Sequence, residues 1–223
     1  MNKKYFYISL VVSIVVQTIT GIIDIGAFFT KVSPDYFLIK QLLALELIVQ
    51  AIEGVFYFWL AYHFNKIANV TPKRYLDWMV TTPTMLITLI LYLIYLNRQD
   101  KPQLDFFTLL KENASVVIPV LLLNWAMLLF GYLTEINILS TLVGVGLGFI
   151  PFLIYYYMIY VNYVSIANHG HLLFWYFFIF WALYGIIALL PYYTKNLCYN
   201  IVDVFSKNFF GIFLSFIIFS QAF

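Results

Sequence analysis

Apolar residues run along this chain rather than alternate. Seven stretches, 5 to 29, 38 to 62, 75 to 96, 114 to 134, 137 to 163, 171 to 192 and 196 to 221, are predominantly apolar. Each can cross a hydrocarbon core as a helix, which takes about 20 residues. Short links join them. The pattern predicts an all-α membrane protein, a bundle of seven transmembrane helices forming one domain over residues 1–223. The run behind Lys3 and Lys4 is longer than a secretory apolar core and holds Asp24 near its end, so it reads as the first span rather than a signal peptide.

The polar interruptions carry the next step. Charged groups at membrane depth cost a few kcal/mol and mark function, and here they are Asp24, Glu46, Glu53, Arg74, Asp77, Asp203 and Lys207. Five of the ten acidic residues thus lie in predicted spans. Residues three, four, seven and eleven apart share one helix face, and three spans carry polar stripes of that kind. The last has Asn196, Asn200, Asp203 and Lys207, the first Ser13, Gln17, Thr20 and Asp24, and the second Glu46, Gln50, Glu53 and Tyr57. The third brings Arg74 and Asp77 one turn apart, whereas the sixth is apolar between Leu172 and Leu190. Interhelical hydrogen bonding accounts for amides in membranes. It gives less reason for Glu46 and Glu53, and four polar helices beside an apolar one suggest the wall of a hydrated path.

Composition sharpens this by exclusion. A chain 64% hydrophobic and 10% charged has too little polar surface for a soluble domain of its length. A net charge of +2 gives no electrostatic case for nucleic acid. The single cysteine, Cys198, excludes an intrachain disulfide and offers no metal spacing. His169 and His171 flank Gly170 without the further ligands that zinc needs. Lys31, Lys40, Arg98, Lys101 and Lys111 on one side balance Lys3, Lys4, Lys66, Lys73 and Lys195 on the other, so charge does not set orientation. Sequons at Asn69 and Asn113 fall in loops on opposite sides and serve as topology reporters.

Desolvation in an apolar span favours the neutral amine of Lys207, the form that attacks an aldehyde. The cation formed by protonating such an imine needs nearby counter-charge, which Asp77 and Asp203 can supply, with Arg74 balancing the two carboxylates.

The run Arg74-Tyr75-Leu76-Asp77-Trp78-Met79-Val80-Thr81-Thr82-Pro83, paired with Asp203-Val204-Phe205-Ser206-Lys207, closely resembles bacteriorhodopsin and its relatives, the microbial rhodopsins. The resemblance implies all-trans-retinal as cofactor, linked as a Schiff base to Lys207 with Asp77 and Asp203 as counterions. It also implies a pocket involving Arg74, Trp78, Thr81, Thr82, Trp181 and Tyr184, with Trp78 and Trp181 on the two faces of the polyene and Tyr184 reaching Asp203. Gly185 and Ala188 depart from the family's helix 6 proline and further pocket tryptophan. Thr88 stands at the position of the internal proton donor, and Lys195 at that of a proton-release glutamate.

The short chain, the two glutamates a heptad apart and the paired asparagines are similar to the first group of viral rhodopsins, from giant viruses of algae. That likeness implies a light-gated channel for monovalent cations (Na, K), inhibited by calcium and gated through Glu46, Glu53, Asn196 and Asn200, with Ser13, Gln17 and Gln50 along the ion path. It places the N-terminus outside and leaves oligomers open. A light-driven outward proton pump is the alternative within the fold, and a sensor coupled to a partner is a weaker one. A non-photoactive transporter is the reading from another class, against which stands the lack of an internal repeat. No enzymatic chemistry is expected.

Overall fold

The computed structural model describes residues 3–98, 104–167 and 169–221, so Lys101 lies outside the described residues. The seven predicted spans are seven helical rods. They are α1 (Lys3–Phe29), α2 (Phe37–His63), α3 (Thr71–Asn97), then, after a short surface helix α4 (Phe106–Glu112), α5 (Ala114–Glu135), α6 (Thr141–Ile159) with a wider turn over Tyr160–Val164, α7 (His171–Ile187), and a last rod. That rod consists of α8 (Tyr192–Asp203), a π-type turn over Val204–Asn208, and α9 (Phe209–Ser220). Six rods are long and apolar enough to cross a membrane, and α7, with 17 residues, is shorter. Pro83, Pro119 and Pro151 sit inside α3, α5 and α6, as membrane helices tolerate where neighbours cover the freed backbone groups.

Boundaries differ from the hydropathy reading, three of them because of backbone chemistry, and α3 begins at Thr71 rather than 75. The span expected from 137 starts at Thr141, since Asn137 adopts φ 61° and the Ile138 and Leu139 amides both return to the Leu133 carbonyl. The span expected to reach 192 stops at Ile187. The Leu189 and Leu190 amides close tight turns there, and Pro191 has no N–H with which to continue. The last rod therefore begins at Tyr192, four residues before the expected 196.

The bundle is not evenly buried, and the unevenness positions the site. In α3, 72% of the central apolar window is inside the protein, and in the last rod 56%, against 17% for α1. The two most enclosed rods are thus the ones carrying Asp77 and Lys207. Ile22, Val55, Leu76, Leu142 and Phe216 point outward and are well exposed. A surface of that kind would aggregate in water, whereas in a bilayer it faces lipid. The chain is an integral membrane protein.

α5 and α6 meet closely because Gly144 and Gly148, four apart on one face of α6, carry no Cβ. A side chain at 144 would run into Thr134 and the Phe130 carbonyl, an instance of small residues letting membrane helices approach. At the surface, Asp105 caps α4 by accepting from the Phe107 and Thr108 amides, both at 3.1 Å, and Gln41 ties this cap to α2. Asn113 of the second sequon sits between α4 and α5. Its amide donates to the Leu109 carbonyl and accepts from Tyr163.

Candidate functional site

Lys207 occupies the middle of the bundle, 2% exposed, on the π-type turn of the last rod. That turn breaks the regular ladder, and the Phe205 carbonyl accepts instead from the Tyr176 hydroxyl of α7 at 2.7 Å. The Lys207 Nζ donates to Asp77 Oδ2 at 2.7 Å and lies 3.7 Å from Asp203 Oδ1 and 3.8 Å from Glu53 Oε1. This corrects the expectation drawn from the apolar span. A lysine among three carboxylates sits in the electrostatic setting of a cation, and the span's hydropathy does not describe the side chain's own surroundings.

Asp203 is the most thoroughly bonded of the three carboxylates around Lys207. It accepts from Tyr57 at 2.7 Å, from Tyr184 at 2.5 Å and from Arg74 Nη1 at 3.3 Å, and Ser206 supports Tyr184 at 2.7 Å. Tyr184 therefore reaches Asp203 as expected.

Arg74 does not bridge Asp77 and Asp203. Its guanidinium points along the last rod, donating to Asn196 Oδ1 at 3.0 Å and Asn200 Oδ1 at 2.5 Å, between the rings of Phe56, Tyr57 and Tyr199. Asp77 takes its positive partner from Lys207 instead. The two asparagines, legible as stripe members, are in the structure the acceptors that fix the arginine.

From Lys207 an apolar cavity runs between α3, α5, α6 and α7. Trp78 and Trp181 both line it, as do Thr82, Tyr184, Gly185 and Ala188. Gly131, Gly144 and Gly148 leave it open on the α5 and α6 side. The indole Nε1 atoms of both tryptophans have no hydrogen-bond partner. Among the expected pocket residues Arg74 does not line the cavity, and neither does Thr81. Thr81 is fully buried and donates to the Asp77 carbonyl, whereas Thr82 lines the cavity and accepts from Asn124 at 2.8 Å. Asn124, the glycines and Ser206 were not found by sequence reasoning, because none is unusual in an apolar helix.

The remaining stripe residues converge on a second feature, a polar seam between α1, α2 and the last rod. Ser13 donates to the Asn200 carbonyl at 3.1 Å, Gln17 to the Gln50 carbonyl at 3.4 Å, and Gln50 to Asp24 at 2.6 Å. Ser13, Gln17, Glu46, Gln50, Glu53, Asn196 and Asn200 are all buried. At the far end, Lys195 pairs with Glu135 at 2.7 Å.

A family model described as bacteriorhodopsin-like protein matches residues 7–221. The chain belongs to the bacteriorhodopsin-like family. Its fold is similar to the crystal structure of viral rhodopsin OLPVRII, with 29% sequence identity and a TM-score of 0.82 over 98% of this chain and 99% of that one. It also resembles, at the level of fold, the blue light-absorbing proteorhodopsin from Med12 (19% identity, TM-score 0.75, 97% of each chain). The proton pumping rhodopsin AR2 from the marine alga Acetabularia acetabulum aligns over 99% of this chain and 96% of that one, with 16% identity and a TM-score of 0.73. A search of curated proteins finds no match.

Family membership implies a retinal chromophore, and the cavity fits one. A long apolar slot ending at a buried amine, walled by indoles and glycines, suits a polyene aldehyde. Rhodopsins of this family are photoreceptors and ion transporters rather than enzymes.

Proposed function

We propose that this protein is a light-gated channel for monovalent cations, with all-trans-retinal held on Lys207 and the N-terminus outside, all within one seven-helix domain. When bound, retinal supplies light absorption and a change of shape at the lysine nitrogen. The chain's own residues do the rest. Asp77 and Asp203 hold counter-charge within 4 Å of that nitrogen, Tyr57, Tyr184 and Arg74 hold Asp203 in place, and Trp78 and Trp181 wall the slot.

The observation that carries the reading is Glu53. It lies in the polar seam on the same face as Glu46 and Gln50, yet 3.8 Å from Lys207 Nζ. Movement at the lysine therefore acts on a seam carboxylate directly. Loosening Ser13 from the Asn200 carbonyl, Gln17 from the Gln50 carbonyl, and Asn196 and Asn200 from Arg74 would open a route lined by oxygen ligands suited to Na and K. Calcium, binding such oxygens more tightly, would block it.

Voltage-clamp recording under light, with sodium, potassium and proton gradients varied separately, tests the proposal. The expected current reverses near the equilibrium potential of the monovalent cation. A current that stays outward at every voltage and depends on protons alone replaces it with the outward proton pump, which the direct Lys207–Asp77 contact would serve as a first proton-transfer pair.

A further inference from the structure

Beyond the Lys207 cluster the seam contains two more fully buried carboxyls, Asp24 on α1 and Glu46 on α2, each 0% exposed. Their surroundings differ. Asp24 accepts from the Gln50 amide and the Ser215 hydroxyl, both at 2.6 Å. Gly211 makes this approach feasible, since a side chain at 211 would occupy the place of the Asp24 carboxylate and the Gln50 amide. Glu46, one turn before Gln50 on the same face, has no partner on either oxygen.

The unpartnered atoms of α2 are all acceptors: both Glu46 oxygens, Gln50 Oε1 and Glu53 Oε2. Among the described residues no cationic side chain forms an ion pair with Asp24 or Glu46; Lys207 reaches Glu53 instead. The groups facing Glu46 from neighbouring helices are Asp24 and the Thr88 hydroxyl.

A carboxylate buried without donors or a counter-cation is untenable. Something positive must accompany Glu46, and the space around it decides what. With 0% exposure, no water-sized void touches the side chain, so neither water nor a hydrated ion fits against it. A proton needs no room.

We propose that Glu46 carries a proton in the resting protein, as a neutral carboxylic acid beside an Asp24 carboxylate that holds the single negative charge of the pair. Asp24 has the two donors that an anion requires, whereas the hydroxyl facing Glu46, that of Thr88, is spent on the Thr84 carbonyl at 3.2 Å. One turn along α2 from Glu46, Gln50 Oε1 is an acceptor that has no donor. The protein thus stores a releasable proton on the α9 side of Lys207, about 10 Å along α2 from Glu53, and its release would double the negative charge at that level of the seam. The inference is independent of whether cations flow.

Attenuated-total-reflection infrared spectroscopy of the retinal-bound protein in vesicles, kept dark while the bath is taken stepwise to alkaline pH, tests this. The expected record is a carboxylic C=O stretch in the wild type that is lost at alkaline pH, is missing from Glu46→Gln and is moved in frequency in Glu46→Asp. The visible absorption of each variant checks its fold. If Glu46→Gln forms no pigment, Glu46→Asp carries the test alone, and an unmoved band overturns the proposal. So does a band that persists in Glu46→Gln, and one that vanishes in Asp24→Asn while surviving in Glu46→Gln assigns the proton to Asp24 instead.

Discussion

On the α5, α6 and α7 side of Lys207 the chain offers rings and glycines and few hydrogen-bonding groups. On the α1, α2 and α8 side it offers carboxyls, amides and hydroxyls in rows. The first wall works by shape. Its glycines set how much space remains, its tryptophans keep their N–H groups unbonded, and almost nothing in it holds charge. The second works by hydrogen bonds, and several of its oxygens lack partners. A wall that works by shape has one best arrangement, whereas one short of donors has alternatives of similar energy. The difference makes α5, α6 and α7 the rigid cradle and the seam the part that can switch.

The sharpest break of this comparison is at the residue both walls share. Lys207→Ala should abolish visible absorption on incubation with retinal, since no other described lysine is comparably buried. A normal band in that variant would remove the site altogether.

Next comes the cradle. Gly148 faces the cavity with only ordinary contacts waiting for a Cβ, at 3.6 and 4.0 Å, so the fold should tolerate Gly148→Leu while the slot does not. Retinal uptake should weaken about tenfold, the scale of overpacking a filled site. Gly146, with nothing within 4 Å of its Cβ position, gives the control: Gly146→Leu should bind retinal like the wild type. Equal effects at 146 and 148, read by titrating pigment formation, would mean that shape is not what the cradle supplies.

A smaller, spectral effect is expected on the charged side. Asp77→Asn should shift absorption to longer wavelength, because the ground-state cation loses its 2.7 Å partner while the excited state, with positive charge displaced from the nitrogen, loses less. An unchanged spectrum across pH would assign that role to Asp203 alone.

The smallest effect lies outside the membrane. Bonds from Gln41 and from the Thr108 backbone hold the Asp105 carboxyl below its ordinary value of 3.8. A depressed value in the folded state contributes stability that is fully present above about 3.8 and is lost as pH falls through the folded value. Asp105→Asn should slightly lower thermal stability at neutral pH and erase the difference from wild type in acid. A gap that persists at low pH would contradict this.

The charged part of the site was readable from sequence because a lysine or carboxylate inside an apolar run stands out, and helical spacing then groups such residues on faces. Lys207, Asp77, Asp203 and Glu53 were found that way, and each of the three carboxylates lies within 4 Å of the lysine nitrogen. The cradle was legible in Trp78, Thr82, Trp181 and Tyr184, and only through resemblance. Gly131, Gly144 and Gly148 act by what they lack, which leaves no trace in a hydropathy pattern. The direction of Arg74 was not legible, for a related reason. Spacing along α3 puts it one turn from Asp77, but a long side chain goes where acceptors converge, and those are Asn196 and Asn200 on another rod. Thr81 shows the same limit, being adjacent in sequence to a cavity residue yet turned to its own backbone.

Whether the seam conducts is tested most directly by Glu53→Gln, which keeps volume and hydrogen bonding and removes the charge 3.8 Å from Lys207. Photocurrents and absorption should be measured on the same cells, in sodium and in potassium. The account expects intact pigment with a several-fold change in conductance or a shifted reversal potential between the two ions. Photocurrents indistinguishable from wild type would mean that the seam is hydrogen-bonded packing and that ions do not pass along it.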